Sequence, residues 1–223
     1  MSYLETLYKN ALKTVEEIYV ESKYNPDVDL YRSLDIMTAV NPSQTTSKQW
    51  LVENLKEFVN DETFLRDGPI EHVLVMGAWY GIAGLLMKEH LGKDVAVWNV
   101  DSDYQCEIYG PMLHKDIEHC QNIHWQHDDA IDYFIERSQN FQLIINTSCE
   151  HMEQEDIEMI IRLKKPNCIV CFQSNNFHNE AEHINTHNSI EEFEKSLGLT
   201  RVFWSGFTTP ENAQYQRYMV IGI

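Results

Sequence analysis

The sequence contains no run of about 18 apolar residues, so it offers no helical segment for crossing a membrane. It also lacks a basic start followed by an apolar core. Met1-Ser2-Tyr3-Leu4-Glu5 does not look like a secretory leader, and none is expected. Positive charge is scarce: 17 Lys and Arg stand against 35 Asp and Glu, a net charge of −18. That balance repels a phosphate backbone and argues against nucleic acid as the main partner, while tolerating neutral or cationic substrates. Cysteine is limited to Cys106, Cys120, Cys149, Cys168 and Cys171, an odd number without framework spacing. A disulfide-stapled fold is therefore not expected, and a reduced, cytoplasmic setting is. Cys168 and Cys171 imitate a C-x-x-C pair, but they stand in an apolar run of strand character, where positions three apart face opposite sides. Repeats and low-complexity tracts are absent too.

What is present suffices for a sizeable core: 43% of the 223 residues are hydrophobic and 11% aromatic. A first helix is expected from Ser2 to Glu21. Ser2 and Glu5 form a capping box, and Leu4, Leu7, Ala11, Val15 and Ile18 form one apolar stripe. An irregular stretch follows, through Tyr24-Asn25-Pro26-Asp27 and on to Asn41-Pro42. A second helix is expected from Thr46, with Thr46 and Gln49 as its capping box and Leu51, Leu55, Phe58 and Val59 on one face. Asp67-Gly68-Pro69 then punctuates the chain. Residues 1–66 read as a helical extension or cap, and 67–223 as one compact unit.

From residue 70, apolar runs of strand length alternate with helical stretches. The strands are expected at His72–Met76, Val95–Val100, Asn122–Trp125, Phe141–Asn146, Cys168–Phe172, Arg201–Phe207 and Tyr218–Ile223. The helices fall at Ile82–His90, Tyr104–Glu118 with a bend at Pro111, Ala130–Arg137, Glu153–Leu163 and Ser189–Leu197. This alternation predicts an α/β fold, a doubly wound and mostly parallel seven-stranded sheet with helices on both faces. Only the short polar segment Thr208–Gln216 joins the last two strands, so they should pair antiparallel.

Val73-Leu74-Val75-Met76-Gly77-Ala78-Trp79-Tyr80-Gly81 reads as a strand, a tight turn and a helix start. Such a turn sets a helix N-terminus beside a ligand. The usual three-glycine pattern is incomplete, because Trp79 stands at its middle position. The next strand ends at Asp101, 20 residues after Gly81, where an acidic residue can hold both hydroxyls of an adenosine ribose. The strand after that leads into Asp129-Ala130, where Asp129 can accept from an adenine amino group or cap a helix.

These residues, with the hairpin ending, resemble the class I (Rossmann-like) S-adenosylmethionine-dependent methyltransferases over roughly residues 42–223. The resemblance implies a central first strand and S-adenosyl-L-methionine as cofactor, with S-adenosyl-L-homocysteine as product. It also implies Gly77, Ala78, Trp79 and Gly81 along the methionine part, Asp101 on the ribose, Asp129 and Ala130 at the adenine, and Asn146 facing the methionine end and the substrate. Two departures stand out: Val75 replaces an acidic residue, and Trp79 replaces a glycine. Hydroxyls at the start of the second helix suit a carboxylate, so Thr45 and Thr46 are expected at the methionine carboxylate, with simple capping as the competing role.

For the reacting end, the loop after the fourth strand supplies Glu150 and His151, which could orient or deprotonate a substrate or merely open the next helix. After the fifth strand, Asn175, His178 and His183 are expected in a substrate-recognition loop. His183 and His187 would share a helix face suited to a metal, but no zinc signature is matched and no metal is assigned. Five tyrosines among the first 40 residues belong either to a cap over the site or to packing on the sheet's flank. The expected activity is methyl transfer to nitrogen or oxygen of a small polar molecule. Aminocarboxypropyl transfer, cyclisation or a catalytically silent cofactor-binding module are the alternatives. A nicotinamide dehydrogenase would require a parallel last strand. The expected partner is a small-molecule substrate, without nucleic acid or membrane; a homodimer stays open.

Overall fold

The computed structural model describes residues 3–61, 63–65, 68–118, 120–210 and 214–223. Ser2 and Asp67, expected in a helix cap and a turn, lie outside the described residues. Three helices come first: α1 (Tyr3–Ser22), α2 (Tyr31–Ala39) and α3 (Pro42–Val59). Then follow β1 (His72–Met76), α4 (Ile82–Leu91), β2 (Ala96–Asp101), α5 (Tyr104–Leu113), β3 (Ile123–His127), α6 (Ala130–Arg137) and β4 (Leu143–Asn146). The chain ends with α7 (Gln154–Leu163), β5 (Ile169–Asn175), α8 (Ile190–Leu197), β6 (Val202–Thr208) and β7 (Arg217–Gly222).

The strands form one seven-stranded sheet in the order β3-β2-β1-β4-β5-β7-β6. β1 to β5 pair in parallel, and β7 runs antiparallel between β5 and β6. The antiparallel end is what the short Thr208–Gln216 connection demands, and it removes the parallel last strand that a dehydrogenase would need. The chain winds outward from β1 to β3 and then returns to β4 on β1's other side. This reversal opens a crevice beyond the carboxyl ends of β1 and β4.

Strand residues alternate between two apolar cores. Val73, Val75, Val97, Ile145 and Cys171 face a core shared with α1 to α4. Leu74, Met76, Ile144, Val170 and Cys168 face another, closed by α6, α7 and α8 through Phe134, Ile160, Phe193 and Leu197. Cys168 and Cys171 thus lie in different cores, as period-two alternation requires.

The N-terminal region departs from expectation in two places. α2 forms where an irregular stretch was expected. α3 begins four residues before Thr46, because Asn41 is its cap: its side-chain oxygen accepts from Gln44 N at 2.9 Å, and Pro42 occupies the first turn. Asn-Pro is a strong helix start, since the ring's fixed φ suits the first turn and the proline needs no hydrogen-bond donor there. α5 stops at Leu113, earlier than the expected Glu118, and carries Pro111 within it. α1 lies on the flank against α5, where Asn10 Nδ2 donates to Leu113 O and Lys115 O at 2.9 and 2.7 Å. Tyr8, Tyr19, Tyr24 and Tyr31 are exposed. α2 and α3 approach the crevice.

α4 packs tightly on the sheet through Gly84. A Cβ there would meet Asn99 Oδ1 and Val97 Cγ1 at 2.8 Å each. Gly84→Ala should destabilise the protein by about 1–3 kcal/mol through overpacking, although alanine is the better helix former by about 1 kcal/mol. Urea unfolding checks this, and an unchanged or raised midpoint would contradict it.

Candidate active site

The crevice is built around the turn after β1. Met76 is the last buried strand residue. Gly77 then takes φ +55°, Trp79 +51° and Gly81 +69°. Space is also tight at Gly77: a Cβ there would sit 3.0 Å from Ser148 Oγ, on the facing loop, and would press that side chain aside. The turn is pinned from beneath by Ala78 N donating to Val100 O at 3.1 Å. It is pinned from the side by Trp79 N donating to Asp101 Oδ2 at 2.7 Å. Asp101 Oδ1 accepts from Asp103 N at 3.0 Å. Each carboxylate oxygen keeps a further acceptor position.

The N-terminal helices are tied to this turn by a polar cluster. Asp35 Oδ2, on α2, accepts from Trp79 Nε1 at 3.1 Å and from the Tyr80 hydroxyl at 2.6 Å. Arg32 pairs with Asp35 at 2.8 Å and with Asp103 at 2.7 Å, and donates to the Tyr80 oxygen at 3.0 Å. Burial and the neighbouring Asp35 push the Tyr80 hydroxyl well above its ordinary range, so it remains a donor. From α3, the Lys48 ammonium lies 5.9 Å from the centre of the Trp79 ring.

The opposite wall follows β4. Asn146 is fully buried. Its side-chain oxygen accepts from Ser148 N at 2.9 Å, and its amide donates to Met152 Sδ at 3.0 Å. This folds residues 147–151 back toward Gly77. Glu150, 2% exposed, accepts at Oε1 from Asn175 Nδ2 at 2.8 Å. Arg217 of β7 lies 3.6 Å from the same oxygen. Between the two walls lie adjoining cavities of about 530 and 290 Å³. Both are lined by Gly77, Asp101, Ser148 and His151. The larger extends past Lys48, Trp79, Glu150 and Arg217, and the smaller past Asp129, Ala130 and Met152.

No protein-family model and no curated protein matches the sequence. Solved structures do match it in shape. The chain aligns with the N-methyltransferase NodS of Bradyrhizobium japonicum at 12% identity and a TM-score of 0.58, covering 82% of this chain and 98% of that one. It aligns with an O-methyltransferase of Bacillus cereus, solved in complex with S-adenosylhomocysteine, at 15% identity and a TM-score of 0.58, covering 95% and 91%. A SAM-dependent methyltransferase of Agrobacterium tumefaciens matches at 14% identity and a TM-score of 0.54. That match covers 82% of this chain and 62% of the Agrobacterium chain, so this chain spans under two thirds of that relative's length. This chain has the class I methyltransferase fold.

On that fold, several expected site residues meet at the crevice: Gly77, Ala78, Trp79, Asp101, Asp129, Ala130, Glu150 and His151 all line one or both cavities. Asp129 also caps α6, accepting from Ile131 N and Asp132 N at 2.8 and 3.1 Å. Other expected residues stand elsewhere. Gly81 lies beneath the turn, where a Cβ would meet Asn99 Nδ2 at 2.6 Å. Asn146 is a turn-builder behind the wall. Thr45 is occupied by its own helix, donating to Asn41 O at 3.0 Å, and Thr46 faces a separate cavity beside Trp50 and Thr208. Because α3 begins at Pro42, the side chains it turns to the crevice are Gln44, Ser47 and Lys48.

The histidine-rich loop is not helical, so His183 and His187 do not share a helix face. His187 is buried with Nδ1 3.4 Å from Ser174 Oγ. His178 is exposed and bonded to Thr186. Asn175 is buried and holds Glu150. None of Asn175, His178 and His183 lines the two cavities; Glu182 of their loop does.

Lys48 and Arg217 escaped the sequence reading. Nothing in the pattern separates them from the other cations until α3 and β7 are placed. Lys48 Nζ donates to Gln44 Oε1 at 2.9 Å. Burial lowers its pKa from 10.5 to about 7, the charge of Arg217 adds to the lowering, and Glu150 opposes it. The depressed lysine binds fewer protons folded than unfolded. Its penalty on folding is therefore complete below pH 7 and fades as pH rises from about 7 to 10.5. Lys48→Met should accordingly raise stability by at least about 1 kcal/mol at pH 6, and the gain should vanish toward pH 10.5. Urea midpoints of both proteins across pH test this; a gain that grows with pH would contradict it.

Proposed function

We propose that the chain is an S-adenosylmethionine-dependent methyltransferase acting on a small polar acceptor. The observation that carries the reading is Asp101. This carboxylate, at the carboxyl end of β2, receives the main-chain N–H of the glycine turn and still opens onto both cavities. In this reading Asp101 takes the two ribose hydroxyls with its free acceptor positions. Asp129 and Ala130 lie at the adenine. The methionine end runs past Gly77 into the larger cavity. There Lys48, whose buried charge a bound carboxylate would stabilise, suits that carboxylate together with Gln44 and Ser47.

When bound, the cofactor would supply a sulfonium-activated methyl group for in-line displacement by an acceptor lone pair. Positioning provides most of the rate in such a displacement. Glu150 and His151, opposite Gly77, hold and orient the acceptor. The acidic surface and cavities of this size suit a small molecule better than a polyanion. A cytoplasmic enzyme without nucleic-acid or membrane partners is consistent with this reading, and no described helix is long and apolar enough to cross a membrane.

S-adenosylmethionine and S-adenosylhomocysteine should bind with micromolar dissociation constants, about −8 kcal/mol. Asp101→Ala should weaken binding by about 1.5–3 kcal/mol through lost charge-assisted hydrogen bonds. Calorimetry without heat at millimolar ligand, or a variant that binds normally, would contradict the reading. Once an acceptor is found, S-adenosylhomocysteine should be the product; methylthioadenosine would point to other sulfonium chemistry. His151→Ala should then lower turnover about 10²-fold through misplacement of the acceptor, with cofactor affinity nearly unchanged. Turnover within a factor of about two of the parent's would remove His151 from the reacting end.

A further inference from the structure

The loop that fails to pair His183 with His187 brings His183 to His151 instead. Their rings are 4.8 Å apart and nearly perpendicular, at 80°. Glu150, His151 and His183 each place one potential ligand atom within 4.8 Å of the others. Both imidazoles are already oriented by main-chain carbonyls. His151 Nδ1 lies 3.0 Å from Glu182 O, and His183 Nδ1 lies 2.8 Å from Phe177 O. A carbonyl only accepts, so Nδ1 of each ring carries the proton and donates it. Nε2 keeps the lone pair, the tautomer that a metal-bound histidine needs.

Glu150 supplies the third donor. Asn175 and Arg217 engage its Oε1, while Oε2 is buried with no hydrogen-bond partner. A buried carboxylate oxygen left unpaired is costly and calls for an occupant. The frame is held together independently of any ligand, because Glu150 O accepts from Ile184 N and Asn185 N at 2.9 and 3.0 Å. That pair of bonds fastens the His183 loop to the turn carrying Glu150 and His151.

We propose that Glu150, His151 and His183 bind one divalent first-row transition cation at the edge of the larger cavity. Two imidazoles and one carboxylate suit zinc, iron or manganese rather than magnesium or calcium. Atoms bound to one cation at about 2.0–2.2 Å stand about 3–3.5 Å apart, so from a spacing of at most 4.8 Å the three groups would close by up to about 1–2 Å through side-chain adjustment. Three protein ligands leave coordination positions open, and Glu150 and His151 both line the larger cavity. The site does not depend on the methyl-donor reading.

The test is a titration of chelator-stripped protein with Co²⁺, followed by visible absorption and calorimetry and competed with Zn²⁺. The parent should show one saturable site per chain. His183→Ala and Glu150→Gln, each checked for a parent-like circular dichroism spectrum, should each lose at least about tenfold in affinity. Glu150→Gln is close in shape and keeps the result decisive if His183→Ala does not fold. No saturable site in the parent, or equal affinity in the parent and in a folded variant, overturns the proposal. A parallel titration with S-adenosylhomocysteine separates the two readings. S-adenosylhomocysteine binding without cobalt binding removes only the metal, and cobalt binding without S-adenosylhomocysteine binding removes only the methyl donor.

Discussion

The crevice hangs on one residue in an unfavourable backbone conformation. Trp79 at φ +51° is a bulky side chain in the left-handed region, a state that costs about 1–3 kcal/mol and persists only where its surroundings over-determine it. Three contacts do so. Its amide is fixed on Asp101, its indole N–H on Asp35, and its ring lies near the Lys48 ammonium. A glycine at this position would ease the backbone but could make neither side-chain contact. The tryptophan exchanges local freedom for a tie that brings α2 and α3 to the turn, so the wall formed by Gln44, Ser47 and Lys48 depends on it.

Charge inside the crevice differs from charge outside. The chain carries −18 overall, yet Lys48 and Arg217 line the larger cavity among the carboxylates of Asp101, Glu150 and Glu182, while the smaller one is lined by Asp101, Asp129, Glu153 and Asp156 with no Lys or Arg. Confining the Lys and Arg side chains to one end of the cleft favours a ligand whose anionic group lies at that end.

The sheet was legible because its signals are local and repeated: apolar runs at His72–Met76 and Val95–Val100 separated by helical stretches, and a connection after Thr208 too short to return parallel. The turn at Gly77–Gly81 and the carboxylate at Asp101 were legible for the same reason, since strand ends on one side of a parallel sheet converge. What misled was helix phase. Reading the start of α3 at Thr46 instead of Pro42 aimed Thr45 and Thr46 at the ligand, whereas the Asn41 cap turns Gln44, Ser47 and Lys48 inward. The pairing of His183 with His187 assumed a helix, and the loop has none. Its approach to His151 depends on hydrogen bonds to Glu150 O from residues over 30 positions away, which no short-range pattern reveals. Arg217 reaches Glu150 only because β7 inserts beside β5.

The proposed function puts one extended ligand in the adjoining cavities between Gly77 and Glu150, with Asp101 on its ribose. A crystal structure with S-adenosylhomocysteine tests it most directly. Both ribose hydroxyls should lie within hydrogen-bond distance of Asp101, the adenine beside Asp129 and Ala130, and the homocysteine carboxylate beside Lys48. Ligand bound elsewhere, or bound in the crevice with its ribose away from Asp101, would contradict it.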